Sequence, residues 1–242
     1  MKNLLILILS TLLMASCRIN IPMGTKITTH PAPYIKTKDN KTVDVTEMKE
    51  KNKKIKADGK DYKKADIIEY SNGQGTFKHI EKTAFAVKHW EGDINVYTLS
   101  SEVSSTNFEG VNSSSPTGWK TTSHHVTNIY LQKGDAKELL PLSYKNVVRL
   151  IPKNDPGYKY IIKYNDTKKK AKLIKFIGLG IMLAGIAVMA ADVSSGVTTL
   201  GGVGMLGGLG VFLGGGIKRA TNNMNLQKAI GKHNGVYDDD KK

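Results

Sequence analysis

The stretch FIGLGIMLAGIAVMAADVSSGVTTLGGVGMLGGLGVFLGGGI, residues 176–217, divides the chain into parts that obey different rules. Two apolar runs, 176–191 and 197–217, flank DVSSG at 192–196. A helix needs about 20 predominantly apolar residues to cross a bilayer. The second run meets that length and the first falls slightly short. Lys175 and Lys218 stand at the outer ends, where long cationic side chains reach headgroups. Glycine costs a water-soluble helix about 1 kcal/mol per residue relative to alanine, whereas in a membrane small residues let helix backbones approach. The stretch therefore predicts a two-helix membrane hairpin over 176–217. Small residues four apart mark its packing faces: Gly180 and Ala184 on the first helix, Gly204 with Gly208 and Gly210 with Gly214 on the second. These faces either close the hairpin or pair two copies of the chain. A glycine-rich loop that never inserts and a pore-lining hairpin are the competing readings. Ion pathways usually carry charged groups, and the second run has none.

The N-terminus reads Met1-Lys2-Asn3, then LLILILSTLLM, then Ala15-Ser16-Cys17. A positive start, a short apolar run and small residues make a secretory signal, expected over 1–16. MASC at 14–17 resembles the lipobox of bacterial lipoproteins, with Met14 and Leu13 departing from the commonest spacing. The resemblance implies that Cys17 is lipidated on sulfur, that the chain is cut before it and that the new N-terminus is acylated. Arg18 stands where aspartate often signals inner-membrane retention in such proteins, which leans toward the outer membrane. An ordinary signal peptide with a cysteine in its tail is the alternative. Cys17 is the only cysteine, so an internal disulfide is excluded. The hairpin resembles the glycine-zipper regions of some envelope lipoproteins.

Between these elements, residues 17–53 read as a lipidated, solvated tether, with His30-Pro31-Ala32-Pro33 and the charged run EMKEKNKKIK at 47–56. Residues 54–165 read as a β-rich domain facing the periplasm. Asp58-Gly59, Asn72-Gly73, Glu91-Gly92-Asp93 and Gly134-Asp135 fall between β-branched and aromatic runs, the mark of hairpin turns. The spacing suits a meander or a small barrel. Residues 100–123 are rich in Ser and Thr and predict a long loop. Ser143 caps a short helix YKNVVRLI, and Asp155-Pro156-Gly157 breaks the chain. Residues 166–175 read as a basic linker, with a helix over YKYIIKYNDTKKKAK at 158–172 leading into the hairpin as the alternative, and 218–242 read as a polar tail with an amphipathic stretch. The fold class is α+β, a small antiparallel β-rich domain with a short helix followed by the helical hairpin. TFKHIEKTAFAVKHWEGDINVYTLSS at 76–101 and NIYLQKGDAKELLPLSYKNVVRLI at 128–151 resemble a group of exported proteins from Bacteroidota-type bacteria to which no activity is assigned.

The chain has 242 residues and a formal charge of +15. Such a charge fits nucleic acid, but an exported, tethered chain seldom meets it. Membrane lipid, an envelope protein or an acidic envelope polymer fits better; a merely solvated lysine-rich surface competes. Both hairpin flanks are basic, which would place them in the cytoplasm, against the signal; long translocated domains escape that rule, so the signal decides. The six histidines form no zinc spacing, and adjacent His124 and His125 point to opposite faces of a strand. No HExxH, GxSxG or phosphate-loop pattern occurs. The expectation is a non-enzymatic protein without metal or cofactor.

Overall fold

The computed structural model describes residues 21–81, 84–108, 119–136, 138–191 and 195–238. The signal segment and Cys17 lie outside them. The chain is α+β and forms two compact units: Met23–Leu150 with Asn234–Val236, and a helical unit that includes Ile151–His233.

Among the described residues the first unit holds twelve strands, one α-helix and a single 3-10 turn at Lys64–Asp66. The strands are β1 (Thr25–Lys26), β2 (Tyr34–Thr37), β3 (Thr42–Asp44), β4 (Met48–Glu50), β5 (Lys54–Ala57) and β6 (Lys60–Lys63), then β7 (Ile67–Ser71), β8 (Thr76–Glu81), β9 (Ala84–Glu91), β10 (Ile94–Phe108), β11 (Trp119–Lys133) and β12 (Leu140–Pro141). Helix α1 (Tyr144–Leu150) follows. The order β12-β11-β10-β9-β8-β7-β2-β3 forms one antiparallel sheet, with β1 pairing β9, and β4-β5-β6 forms a second. The expected meander therefore runs through β7 to β12 as an open sheet. Each turn dipeptide lies at a strand connection. At Asp58-Gly59 both residues have positive φ, 46° and 82°, as a two-residue type I′ turn demands. Asp58 also accepts from the Thr46 and Glu47 backbone nitrogens at 3.1 and 2.9 Å, which draws its carboxyl below the usual range. Ser143 Oγ accepts from the Asn146 nitrogen at 3.3 Å and caps α1 as expected.

The core lies between the two sheets. Ile35, Ile67, Tyr70 and Phe85 from the large sheet meet Ile55 and Ala57 from the small one. The tether reading of 17–53 fails at this point. Residues 25–50 carry β1 to β4, and Ile35 is fully buried. Isolated apolar residues in a charged stretch cannot build a core alone, but Ile35 gains one by pairing across to Tyr70.

The loop expected at 100–123 is also corrected. Strands β10 and β11 pair continuously from Ile94↔Lys133 to Phe108↔Trp119, and residues 109–118 lie outside the described part. Strand β9 accompanies β10 only as far as Thr98, so among the described residues the outer part is a two-stranded ribbon. Ser104 and Ser123 hydroxyls bond across it at 3.0 Å. Ser and Thr mark loops because their side chains bond locally, but across a ribbon the same groups bond each other.

Asn234 completes this unit. Its amide nitrogen donates to the Met23 and Ile94 carbonyls at 2.7 and 2.8 Å, and its oxygen accepts from the Ile94 nitrogen at 3.1 Å. Gly92 leaves the room, since a β-carbon there would lie 2.6 Å from the Asn234 amide nitrogen. Asn234→Ala strands three backbone groups and is expected to cost the unit about 2–4 kcal/mol. Urea unfolding followed by tryptophan fluorescence checks this, because both tryptophans of the chain, Trp90 and Trp119, lie on strands of this sheet.

The second unit contains α2 (Tyr158–Ala191), α3 (Ser195–Ala220) and α4 (Asn223–His233). Asp155 accepts from the Gly157 nitrogen at 2.6 Å in the turn before α2. The basic linker expected at 166–175 is instead continuous helix within α2. Lysine is a good helix former, and nothing in TKKKAKLIK breaks a helix. The compact boundary falls at Ile151, not 165. The tail expected over 218–242 holds α4, whose Leu226, Ala229 and Ile230 are buried. Asn222 ties α4 to α2 by donating to the Tyr164 carbonyl at 2.7 Å.

Candidate functional site

Helices α2 and α3 run antiparallel with their backbones in direct contact. The contact is a row of small residues seven apart on each helix. Gly178 meets Gly208 and the Phe212 backbone, Gly185 meets Gly201 and the Met205 backbone, and Gly215 meets Ala171 and Lys175. A β-carbon on Gly185 would sit 2.5 Å from the Met205 nitrogen and 2.7 Å from the Gly201 oxygen. Added β-carbons at Gly178 and Gly208 would meet backbone nitrogens of Phe212 and Met182 at still shorter range. Seven residues are two helical turns, so one stripe stays on the partner along the whole contact.

The expected packing residues distribute unevenly. Gly208 lies in this seam. Gly204 touches Gly185 at its edge, 3.4 Å from an added β-carbon to the Gly185 α-carbon. Gly180, Gly210 and Gly214 would present an added β-carbon to open space, and Ala184 is exposed. The Gly204–Gly208 pair thus lies at the seam, whereas Gly180, Ala184, Gly210 and Gly214 mark the outer surface of this pair of helices. Sequence reasoning missed Ala171, Gly178, Gly185, Gly201 and Gly215. The seven-residue repeat was there to be read, but glycine is so dense in α3 that several spacings fit it. Cys17 lies outside the described residues, and residues 192–194 between the helices do as well.

The surface away from the seam is apolar. Phe176 is 61% exposed and Val203 64%, with Leu183, Ile186, Leu206 and Leu213 also exposed. Among the described residues one helix, Tyr158–Ala190, is long and apolar enough to cross a membrane by length and composition, and only 11% of its most apolar stretch is buried. Large side chains point out and small ones point in. That is the reverse of a water-soluble helix pair.

At the basic end of the pair, a cavity of about 440 Å³ is lined by Lys168, Lys172, Lys175, Phe176, Leu179 and Phe212. The three lysines recur at helical spacing on one face of α2. The Lys172 Nζ lies 5.8 Å from the Phe176 ring centroid, and the Lys175 Nζ lies 5.3 Å from that of Phe212. Gly215 lets the Lys175 stem cross α3, since a β-carbon there would sit 2.8 Å from Lys175 Cγ.

The large sheet carries a different cavity, about 300 Å³ and mostly polar. Strand alternation builds it: Tyr34, Glu69 and Thr76 face the cavity, while their neighbours Ile35, Tyr70 and Phe77 face the core. The Tyr34 hydroxyl donates to Glu69 at 2.6 Å, and the Tyr97 hydroxyl donates to Gln132 at 2.6 Å. Burial, with Glu69 adding to it, pushes both phenols above their ordinary range. Lys78 is buried beside this row, opposite Glu69 in register, and burial lowers its pKa. Fixed donors and acceptors of this kind recognise a polar ligand. Among the described residues no group of three or more His, Cys, Asp or Glu is placed to hold a metal. No protein-family model, curated protein or solved structure matches the chain, so its function is read from its own geometry.

Proposed function

We propose that the chain is a bacterial envelope lipoprotein held by two anchors, a lipid on Cys17 and the α2–α3 helix pair. The observation that carries the reading is the inversion of the pair, with a buried small-residue seam and apolar side chains turned outward. A hydrocarbon surrounding rewards that arrangement. The sheet unit then faces the periplasm as a non-enzymatic binding or structural module, and its partner is an envelope protein or an acidic envelope polymer. The outer membrane is the favoured location, from Arg18 after the lipidated position. Several acyl chains on Cys17 would hold a membrane well where one chain alone is marginal, and the helix pair adds a second, independent anchor.

Labelled palmitate incorporation in wild type and Cys17→Ala, with membrane fractionation and an alkaline carbonate wash, tests both anchors. The expected result is loss of label in Cys17→Ala while the variant still resists the wash. Release of the variant into the soluble fraction would remove the helix pair as an anchor. Absence of label in wild type would remove the lipid.

One observation supports a second reading, a membrane-active protein that oligomerises through its helices. Gly180, Gly210 and Gly214 remain uncovered within the pair, where a second copy finds close approach. Cross-linking of the full chain in vesicles separates the two readings. Dimers lost in Gly210→Leu and Gly214→Leu favour the second.

A further inference from the structure

We propose that the cavity at Lys168, Lys172, Lys175, Phe176, Leu179 and Phe212 is a binding site for one anionic phospholipid. The inference rests on the membrane reading above and names the lipid that the helix pair selects. Three lysines on a single face of α2 line the cavity, and among the described residues no carboxylate does. That charge calls for a lipid of net negative charge, whose phosphate diester offers oxygen acceptors to the lysine ammoniums and is not neutralised by a cation in its own headgroup. The floor is aromatic and aliphatic, and it continues into the exposed apolar surface of Phe176, Ile177 and Leu183. A soluble anion would leave that floor uncovered, whereas a phospholipid covers it with its glycerol and the first part of an acyl chain.

The aromatic rings also hold the cations in place. The Lys172 and Lys175 ammoniums lie over Phe176 and Phe212, an arrangement that favours cations near ring faces. Gly215 allows the Lys175 stem to lie across α3, since an added β-carbon there would sit 2.8 Å from Lys175 Cγ and 3.0 Å from the Ala171 oxygen. Position 215 thus combines helix packing with placement of a charged group. In a bilayer this level is the boundary between headgroup and hydrocarbon, since Lys168 to Lys175 precede the apolar run of α2. Lysines on flexible stems reach phosphates at that depth.

The test uses the full chain reconstituted into phosphatidylcholine vesicles that contain a trace of photoreactive phosphatidylglycerol, or of photoreactive phosphatidylcholine. The expected result is cross-linking of phosphatidylglycerol to the peptide spanning 168–179, with much weaker labelling by phosphatidylcholine. The triple change K168Q/K172Q/K175Q lowers the phosphatidylglycerol label at least about tenfold, and K168R/K172R/K175R retains it. Equal labelling by both lipids, or a triple glutamine variant that labels as wild type, overturns the site while leaving the membrane reading intact. Competition by millimolar inorganic phosphate overturns the lipid in favour of a soluble phosphate. A chain that an alkaline wash strips from the vesicles overturns the site and the membrane reading together.

Discussion

Gly208→Leu forces α2 and α3 apart. At this position even a β-carbon would press into the Met182 backbone and the Gly178 oxygen. A clash with backbone cannot be relieved by turning a side chain, so the helices must separate or shift register. Overpacking usually costs about 1–3 kcal/mol, and a whole leucine against two backbones belongs at or above the upper end. Gly185→Leu produces the same loss at the next contact, where the Met205 nitrogen is the obstacle. Gly210→Leu is the control, because its side chain enters open space and removes a glycine from a helix, so the change is expected within about 1 kcal/mol of wild type. SDS-titrated unfolding in mild micelles, followed by the helical circular-dichroism signal, measures the three variants. Equal stability of Gly208→Leu and Gly210→Leu would sink the seven-residue seam.

Tyr70→Ala dismantles the core between the two sheets. Tyr70 is 1% exposed. Its ring stacks on Phe77 at 4.7 Å and meets Phe85 edge-on at 5.1 Å. Truncation removes both contacts and leaves a cavity, a loss of about 3–5 kcal/mol, a large fraction of the about 5–15 kcal/mol of an ordinary domain. Its hydroxyl donates to Glu50 Oε2 at 2.9 Å, while Lys64 holds Glu50 Oε1 at 2.5 Å. The buried lysine thus keeps a partner in Tyr70→Phe, which is expected to lose only about 1 kcal/mol. Urea unfolding read by Trp90 and Trp119 fluorescence separates the two changes. A Tyr70→Ala loss no greater than that of Tyr70→Phe would show that the ring contacts do not hold the sheets together.

The sequence by itself determined the α+β class, the antiparallel meander, the turn positions and a glycine-rich helix pair. These properties are local. Asp58-Gly59 adopts positive φ because of its own residues, and the length and apolarity of the run 197–217 mark it as a helix in a hydrocarbon surrounding. Ser143 caps α1 for a reason contained within four residues. Tertiary structure alone decided which glycines touch and which segments join the sheet. Gly178 and Gly180 are alike in composition and neighbours, yet one faces α3 and the other faces away, because the helix rotation is set by the whole contact. Within the charged segment 25–50, β2 joins the large sheet by pairing Ile35 with Tyr70, thirty-five residues later, while β1 pairs β9 and β4 joins the small sheet. The polar cavity has the same origin. Tyr34, Glu69, Asn95 and Gln132 carry no shared motif, and strand pairing across most of the sheet brings them to one place. Non-local pairing assigns burial, and burial converts scattered residues into a core, a seam and a site.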